Sequence, residues 1–132
     1  MASTIEKTLR SAEISVALLK VLAENSFDSI LITDTTAKGR ITYANKAFKK
    51  LTGYKPEEVI GKTPRILQGV GTDKKVTERL SAALKSGGNF EGKAINYKKD
   101  GTPFIMYWRV LPIKAGKKIE AWIAIQREGA AI

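Results

Sequence analysis

Hydrophobic and polar positions follow two different periods along this chain. Near its start, apolar residues recur in alternating steps of four and three, the spacing that places side chains on one face of a helix. This stripe predicts an amphipathic helix over residues 4–24, with Ser3 or Thr4 as its N-cap. The stripe consists of Ile5, Leu9, Ala12, Val16, Leu19 and Ala23.

Later segments have the composition of strands and of short helices. The predicted strands are FDSILITD, RITYA, NFEGKAINY, TPFIMYWRVLPIK and IEAWIAIQRE. The predicted helices are NKAFKKLTG, YKPEEVIG and TDKKVTERLSAALKSGG, with a shorter helical turn in GKTPRILQG. Capping residues and proline at their starts, and glycines at their ends, support these boundaries. The order of elements predicts an α+β domain with an antiparallel sheet.

The last two predicted strands are apolar on both faces, because side chains alternate across a strand. One face carries Phe104, Met106, Trp108, Val110, Trp122, Ala124 and Gln126, and the other carries Ile105, Tyr107, Leu111, Ile123 and Ile125. A sheet that is apolar on both sides should be covered on both sides. The short helices can cover only one face, so we expect the N-terminal helix, a second copy of the chain or both to cover the other.

Composition narrows the classes of function. The chain has 132 residues, of which 43% are hydrophobic, and this suits one domain with a modest core. It contains neither cysteine nor histidine, which excludes thiolate chemistry, imidazole bases and almost every zinc site within it. Paired carboxylates at a recognisable spacing are also missing from the sequence, so we expect no enzyme activity.

The net charge of +10 is spread over the chain. Most lysines lie in or beside predicted turns, and no strand interleaves basic residues with aromatic ones. We therefore expect a solvated basic surface and no nucleic-acid partner. The chain also lacks an apolar run near the ~20 residues that span a bilayer, and its first residues are polar, unlike a signal peptide. We expect a soluble, cytoplasmic protein without a membrane partner.

The segments GRITYANKAFKKLTGYKPEEVIGK, NYKKDGTPF and WIAIQRE, in this order, resemble a PAS domain. The resemblance extends over nearly the whole chain outside the first helix. It implies a five-stranded antiparallel sheet with short helices on one face. We therefore divide the chain into an N-terminal dimerisation or cap helix (1–24), a sensor domain (25–128) and a tail (129–132).

Within the PAS family, GKTPRILQGVGTD resembles the flavin-binding motif of the light-oxygen-voltage (LOV) group, G-x-N-C-R-F-L-Q-G. Thr63 stands at the asparagine of the motif and Pro64 at its reactive cysteine. The resemblance implies a flavin cofactor, FMN or FAD. It further implies that Arg65 pairs with a flavin phosphate and that Gln68 bonds the ribityl chain. Ser81 occupies the place of a second phosphate-binding arginine.

Two more amides match the LOV pattern. Asn96 matches an asparagine that bonds the flavin pyrimidine edge, and Gln126 matches the glutamine beside flavin N5 that passes the signal to the outer sheet. Another family asparagine falls at Met106 and is lost. The residues themselves agree in part, since a buried amide without a partner costs roughly 1–3 kcal/mol. Two inward amides therefore indicate an internal ligand or internal pairing.

Each of these residues also has an interpretation without a ligand. Thr63 and Pro64 suit the N-cap and first position of a helical turn, and Arg65 could pair with a surface acid. Gln68 could simply close the turn, and Asn96 could fix a strand end. Two hypotheses remain. One is a flavin-bound sensor of redox state or blue light, and the other is a cofactor-free PAS module for dimerisation or interaction.

Pro64 also limits the chemistry of the first hypothesis. With a proline at the thiol position and no other cysteine in the chain, a cysteinyl adduct cannot form. The amide of Gln126 would instead re-pair when the flavin gains or loses a proton. Trp108, Trp122 and Tyr107 are candidate electron donors. We expect a homodimer through the N-terminal helix and outer sheet face, with an effector domain in a longer natural protein or in trans.

Overall fold

A computed structural model describes residues 4–8 and 11–130. Within them, five strands form one antiparallel sheet in the order β2-β1-β5-β4-β3. The sheet and the helices between its strands confirm the predicted α+β fold. The strands are β1 (Ser29–Thr33), β2 (Ile41–Ala44), β3 (Phe90–Tyr97), β4 (Pro103–Ala115) and β5 (Lys118–Glu128).

Three helices and one 3₁₀ turn connect β2 to β3, and their ends follow the predicted caps. The side chain of Asn45 accepts a hydrogen bond from the backbone amide of Phe48 at 3.2 Å, and Gly53 ends that helix at φ 81°. Asp73 and Gly87 cap the longest helix in the same two ways. The elements are α3 (Lys46–Thr52), α4 (Pro56–Val59), the 3₁₀ turn (Pro64–Leu67) and α5 (Lys74–Ser86).

The N-terminal segment departs from the single helix predicted over residues 4–24. It forms two helices, α1 (Thr4–Thr8) and α2 (Ala12–Glu24). Ser11 starts the second, because its hydroxyl oxygen accepts a hydrogen bond from the backbone amide of Ile14 at 3.1 Å. Serine competes for backbone groups and is a strong N-cap. A periodic apolar stripe therefore runs through a helix start that periodicity alone does not reveal.

Helix α2 leaves most of its large apolar side chains in solvent. None of its residues is buried, so within the described chain the helix does not cover the sheet as one of the alternatives predicted. Thr4 is the first residue of α1 rather than an N-cap, and Ser3 and Leu9 lie outside the described residues. The large exposed side chains of α2 are Ile14, Val16, Leu19, Val21 and Leu22.

The two faces of the sheet differ in burial. The face toward the helices, here called the inner face, holds the core and confirms the predicted alternation along β4 and β5. On the opposite, outer face, Ile95, Tyr107 and Ile113 remain 38–40% exposed. A covering partner for the outer face stays a prediction. The buried inner-face residues of β3, β4 and β5 are Phe90, Ala94, Asn96, Phe104, Met106, Trp108, Val110 and Gln126.

The strand register orders the inner face along one axis. On β4, Phe104 lies opposite Asn96 of β3, and Pro112 lies opposite Trp122 of β5. Trp122 in turn lies opposite Thr33 of β1. The eight residue-to-residue steps from Phe104 to Pro112 correspond to about 26 Å at the usual rise of a strand. The two limits of this axis are called the Asn96 end and the Thr33 end below.

None of the helices in residues 4–8 and 11–130 combines the length and the apolar character needed to cross a bilayer. The cytoplasmic location and the absence of a nucleic-acid partner stay predictions.

Candidate functional site

A cavity of about 870 Å³ lies between the inner face and the helical layer. Strands β3, β4 and β5, the 3₁₀ turn, helix α5 and the β1–β2 loop (residues 34–40) all contribute to its walls. Its volume falls within the ~300–1,000 Å³ typical of small-molecule sites, and its lining combines apolar side chains with many polar and charged ones. The apolar lining includes Leu67, Leu80, Leu84, Met106, Trp108, Val110, Trp122 and Ala124.

Two amides predicted from the sequence lie in this cavity. Asn96 and Gln126 are each 3% exposed and line the wall from β3 and β5. The Gln126 amide oxygen accepts a hydrogen bond from the hydroxyl of Ser29 at 3.0 Å. The Asn96 amide nitrogen makes a long 3.4 Å contact with the carbonyl of Ala94. Both side chains are therefore inward, and Asn96 is the more weakly held.

Arg65 and Gln68 lie at the rim of the cavity. Both side chains are exposed, and both line the opening from the 3₁₀ turn and the residue after it. The structure does not bring Thr63 to the cavity. Thr63 is extended, at φ −98° and ψ 154°, and its side chain makes no capping hydrogen bond. Its carbonyl instead accepts from the amide of Ile66 at 3.2 Å, so Thr63 serves the turn through its backbone.

The start of the turn is fixed at the Thr33 end. The amide of Ile41 donates to the carbonyl of Lys62, and the amide of Gly61 donates to the carbonyl of Ile41, both at 2.8 Å. Because Ile41 pairs with Thr33 across the β1–β2 ladder, these bonds hold the segment before Arg65 beside the β1–β2 loop. Arg65 therefore enters the cavity rim from the Thr33 end.

The residues after the turn are fixed at the opposite end. The hydroxyl of Thr72 donates to the carbonyl of Ile95 at 2.7 Å, and the amide of Gly71 donates to the hydroxyl of Tyr97 at 2.8 Å. A Cβ on Gly69 would lie 2.4 Å from Cε2 of Tyr97, so only glycine fits there without displacement. The chain thus crosses the cavity between Lys62 and Thr72, with Gln68 on the way.

The sequence interpretation missed two contributors to the site. Ser29, the partner of Gln126, is 2% exposed. Ser29 and the apolar Leu31 lie two residues apart on β1 and so share a face of the strand, and this spacing could have predicted that Ser29 points inward. The second contributor is the β1–β2 loop, which the sequence predicts only as a turn and which also lines the cavity. In it, the carboxylate of Asp34 accepts hydrogen bonds from the hydroxyl and amide of Thr36 and from the amide of Arg40. The Thr36 hydroxyl, followed by the Arg40 amide, lowers the pKa of Asp34 below its ordinary value.

The three candidate electron donors do not share one location. Trp108 and Trp122 line the cavity, and the Trp108 ring packs against Phe90 with centroids 5.1 Å apart. Tyr107 lies on the outer face, where it is 39% exposed and its hydroxyl bonds to Glu91. Tyr107 thus lies on the face opposite the two tryptophans, as the alternation along β4 predicts, and the role of all three as electron donors stays a prediction.

A hydrogen-bond cluster joins the end of α2 to the sheet. Asn45 is 0% exposed. Its amide oxygen accepts from the amides of Ile30 at 2.9 Å and Phe48 at 3.2 Å. Its amide nitrogen donates to the carbonyls of Ala23 at 2.8 Å and Asp28 at 3.0 Å. One side chain therefore connects α2, the α2–β1 connection, β1 and α3.

Two further contacts support this junction. Arg127, the residue after Gln126, pairs with the carboxylate of Asp28 at 2.7 Å, and this hydrogen bond raises the pKa of Arg127. The hydroxyl of Tyr43 donates to the carboxylate of Glu24 at the end of α2. Burial, and then the hydrogen bond to Glu24, raise the pKa of Tyr43 to about 12. The last turn of α2 is thus tied to β2, and the connection after it to β5.

Comparison with known proteins places this geometry in a family. The chain matches the family model described as "PAS domain" over residues 28–128. It is 40% identical over 87 residues to Phototropin-1A of Oryza sativa subsp. japonica, an alignment covering 65% of this chain and 9% of that protein. It is 46% identical over 74 residues to a blue-light-activated histidine kinase of Brucella anthropi, covering 56% of this chain and 15% of that protein.

A solved structure agrees with these relatives. The LOV domain from the Erythrobacter litoralis EL346 blue-light activated histidine kinase matches with a TM-score of 0.73 and 30% identity. The match covers 76% of this chain and 94% of that chain. The chain spans less than a fifth of the curated relatives named above. The chain belongs to the PAS domain family and has light-oxygen-voltage domains among its relatives.

Proposed function

We propose that this chain is a sensory domain that binds a flavin non-covalently and responds to redox state or blue light without a cysteinyl adduct. One observation carries the proposal. The inner-face cavity contains two buried amides, Asn96 and Gln126, and is bordered by Arg65 and Gln68 at its rim. Such a cavity offers a flat apolar ring system hydrogen-bonding partners inside and a charged partner outside.

The residues present fit a flavin on structural grounds. Among the described residues, the amide oxygen of Asn96 has no hydrogen-bond partner, and its nitrogen has only the 3.4 Å contact with Ala94. An amide that is 3% exposed and poorly paired is stabilised by a polar ligand edge. The apolar side chains of Met106 and Trp108 supply the wall that a ring system needs.

A bound flavin would supply electron and proton transfer. Within the chain, Gln126 is the group able to respond, because its amide offers a donor at one end and an acceptor at the other. Ser29 can stay paired when the Gln126 amide rotates, because its hydroxyl can donate to the amide oxygen or accept from the amide nitrogen. Rotation of the Gln126 amide would therefore exchange the group that faces the cavity without leaving Ser29 unpaired.

The response has a structural route out of the cavity. Gln126 belongs to β5, and its neighbour Arg127 holds Asp28 in the connection from α2. Ile123 and Ile125 of the same strand lie on the outer face. A change in the hydrogen bonding of Gln126 would thus reach both the outer face and the end of α2, where a packed element can register it.

Absorbance spectra of the purified chain with added FMN or FAD test the proposal. We expect a blue absorbance band that dithionite bleaches and that blue light does not convert into a species recovering in the dark. Pro64→Cys is the matched positive control, since it returns a thiol to a position that lines the cavity and should restore such a species. A chain that stays colourless with both flavins would contradict the proposal.

A cofactor-free module for dimerisation is a second candidate, favoured by the exposed apolar side chains of α2. In this candidate, a homodimer forms through α2 and the outer face. Light scattering should show a dimer that Leu19→Glu dissociates and Lys20→Glu, an exposed control on the same helix, leaves intact. A monomer at high concentration would argue against it.

The output of either function requires a further protein part. The named relatives are much longer than this chain, and one of them is called a histidine kinase. We propose that this chain controls an effector domain, either in a longer natural protein or in trans, and is not itself an enzyme.

A further inference from the structure

Three cations line the cavity toward its Thr33 end, where Asp34 also lies, and a fourth, Lys74, lines it at the start of α5. We infer that Lys38 and Lys85, together with Arg65, form a binding site for the phosphate group of a flavin nucleotide. This inference rests on the proposed function. It adds two residues, Lys38 and Lys85, that the sequence motif does not include.

Three different elements bring these cations to the Thr33 end. Lys38 lies in the β1–β2 loop that directly follows Thr33 and lines the cavity. Arg65 follows the segment that is bonded to Ile41, the strand partner of Thr33. Lys85 lies in the last turn of α5 and also lines the cavity.

The direction of α5 places Lys85 at the same end. At the start of the helix, Thr72 is bonded to Ile95, next to Asn96. At its end, a Cβ on Gly87 would lie 3.3 Å from Cδ1 of Ile119, and Ile119 pairs with Lys114, beyond Pro112 on β4. The helix therefore runs from the Asn96 end toward the Thr33 end.

One face of α5 looks into the cavity, and Lys85 is its last member. The lining residues recur at steps of three and four, the helical spacing for one face. A helical side chain leans toward the N-terminus and covers the preceding turn. The side chain of Lys85 can therefore reach the surface beside Ser81, which carries no charge. That face carries Lys74, Thr77, Glu78, Ser81, Ala82 and Lys85, and Leu80 and Leu84 line the cavity beside it.

No nearby acid forms an ion pair with these cations in the described part of the chain. Among the described residues, Lys38, Arg65 and Lys85 have no hydrogen-bonding or ion-pairing side-chain partner. Asp34 lines the cavity, but its carboxylate is held by Thr36 and Arg40 within the loop. Glu78 also lines it, but seven residues before Lys85 correspond to about 10 Å along the helix.

Unpaired cations that face a common space repel one another, and an anion between them removes this repulsion. A phosphate offers several acceptor oxygens and forms charge-assisted hydrogen bonds with lysine and arginine. The neutral amide of Asn96 lies at the opposite end of the cavity, and the neutral amide of Gln126 lies opposite Trp108, about midway between the two ends. The cavity therefore suits a ligand with a neutral polar ring at one end and a phosphate at the other.

Titration of the ligand-free chain with FMN and with riboflavin tests this inference, because the two flavins differ only in the phosphate. Quenching of flavin fluorescence gives both affinities. We expect FMN to bind about tenfold or more tightly than riboflavin, and increasingly so at low salt. The double variant Lys38→Gln/Lys85→Gln should weaken FMN binding about tenfold and change riboflavin binding less than about twofold.

Lys75→Gln is the matched control. Lys75 is an exposed lysine of α5 that does not line the cavity, so its removal should leave both affinities unchanged. Equal affinity of the wild-type chain for FMN and riboflavin would overturn the inference and leave the proposed function standing. The same holds if Lys75→Gln weakens FMN binding as much as the double variant. Failure of every flavin to bind would overturn the proposed function and this inference with it.

Discussion

The hydroxyl of Ser29 donates a hydrogen bond of 3.0 Å to the amide oxygen of Gln126. The two residues lie directly opposite each other on β1 and β5, and they are 2% and 3% exposed. The pair brings a polar group of the first strand into the wall of the cavity. Ser29 therefore holds one end of the Gln126 amide against β1, and its hydroxyl can pair with either end if the amide rotates.

Removing the Ser29 hydroxyl should destabilise the fold. In Ser29→Ala, the amide oxygen of Gln126 loses its partner in a buried place, so we expect the free energy of unfolding to fall by about 1–3 kcal/mol. Urea unfolding measures the change. Ser86→Ala is the control, because that hydroxyl bonds to Ala83 in an exposed position and its loss should change stability by less than about 0.5 kcal/mol. Equal losses would contradict the structural role of Ser29.

Asn45→Ala should have a larger effect on stability. The substitution removes four hydrogen bonds, two accepted from the backbone amides of Ile30 and Phe48 and two donated to the carbonyls of Ala23 and Asp28. We expect the free energy of unfolding to fall by about 3 kcal/mol or more. Hydrogen exchange should also show faster exchange in α2. Asn25→Ala removes an exposed side-chain bond to Val21 and should leave both measurements nearly unchanged.

Gly69→Ala should disturb the segment that crosses the cavity. The added Cβ would lie 2.4 Å from the Tyr97 ring, and relief of this overlap requires the ring or the backbone to move. We expect a loss of about 1–3 kcal/mol in the free energy of unfolding, measured by denaturant. In the control Gly88→Ala, the new Cβ has its nearest atom at 3.3 Å, the hydroxyl of Ser86. A smaller loss for Gly69→Ala than for Gly88→Ala would show that the contact with Tyr97 is unimportant.

Asp34 should titrate below the ordinary aspartate range. Its folded pKa is lowered by the Thr36 hydroxyl and then by the Arg40 amide, so its contribution to stability is present above about pH 3.9. That contribution is lost as the pH falls through the lowered folded pKa. Carbon-detected NMR titration of the carboxyl group measures it. Thr36→Val should raise the pKa of Asp34, and Thr35→Val should not. An unchanged pKa in Thr36→Val would contradict this assignment.

The sequence was informative where a local pattern decides the structure. All five strands were predicted, because alternation with period two marks strands with a buried face. The caps at Asn45, Gly53 and Gly87 were recognisable because each uses a residue type with a specific local conformation, whereas the N-cap at Asp73 was not singled out. The inward direction of Asn96 and Gln126 could be predicted because each lies an even number of residues from large apolar side chains on its strand and so shares their face.

Other features depend on contacts that a linear pattern does not contain. Thr63 fits an N-cap by type, but its side chain forms no cap bond, because the 3₁₀ turn is held through its backbone. The start of α2 at Ser11 interrupts a stripe whose periodicity continues on both sides. The approach of Lys38 and Lys85 requires the direction of α5 relative to the β1–β2 loop, which only the assembled fold defines.

The hydrogen bond from Asn45 to the carbonyl of Ala23 crosses the boundary predicted between the N-terminal helix and the sensor domain at residue 25. A fragment beginning at Asn25 would keep every strand but lose this acceptor, together with the carboxylate of Glu24 that binds Tyr43. A fully buried amide hydrogen and a half-buried hydroxyl would then lack their partners. The last turn of α2 thus behaves as part of the folded domain, and a shortened protein that preserves it must begin before Ala23.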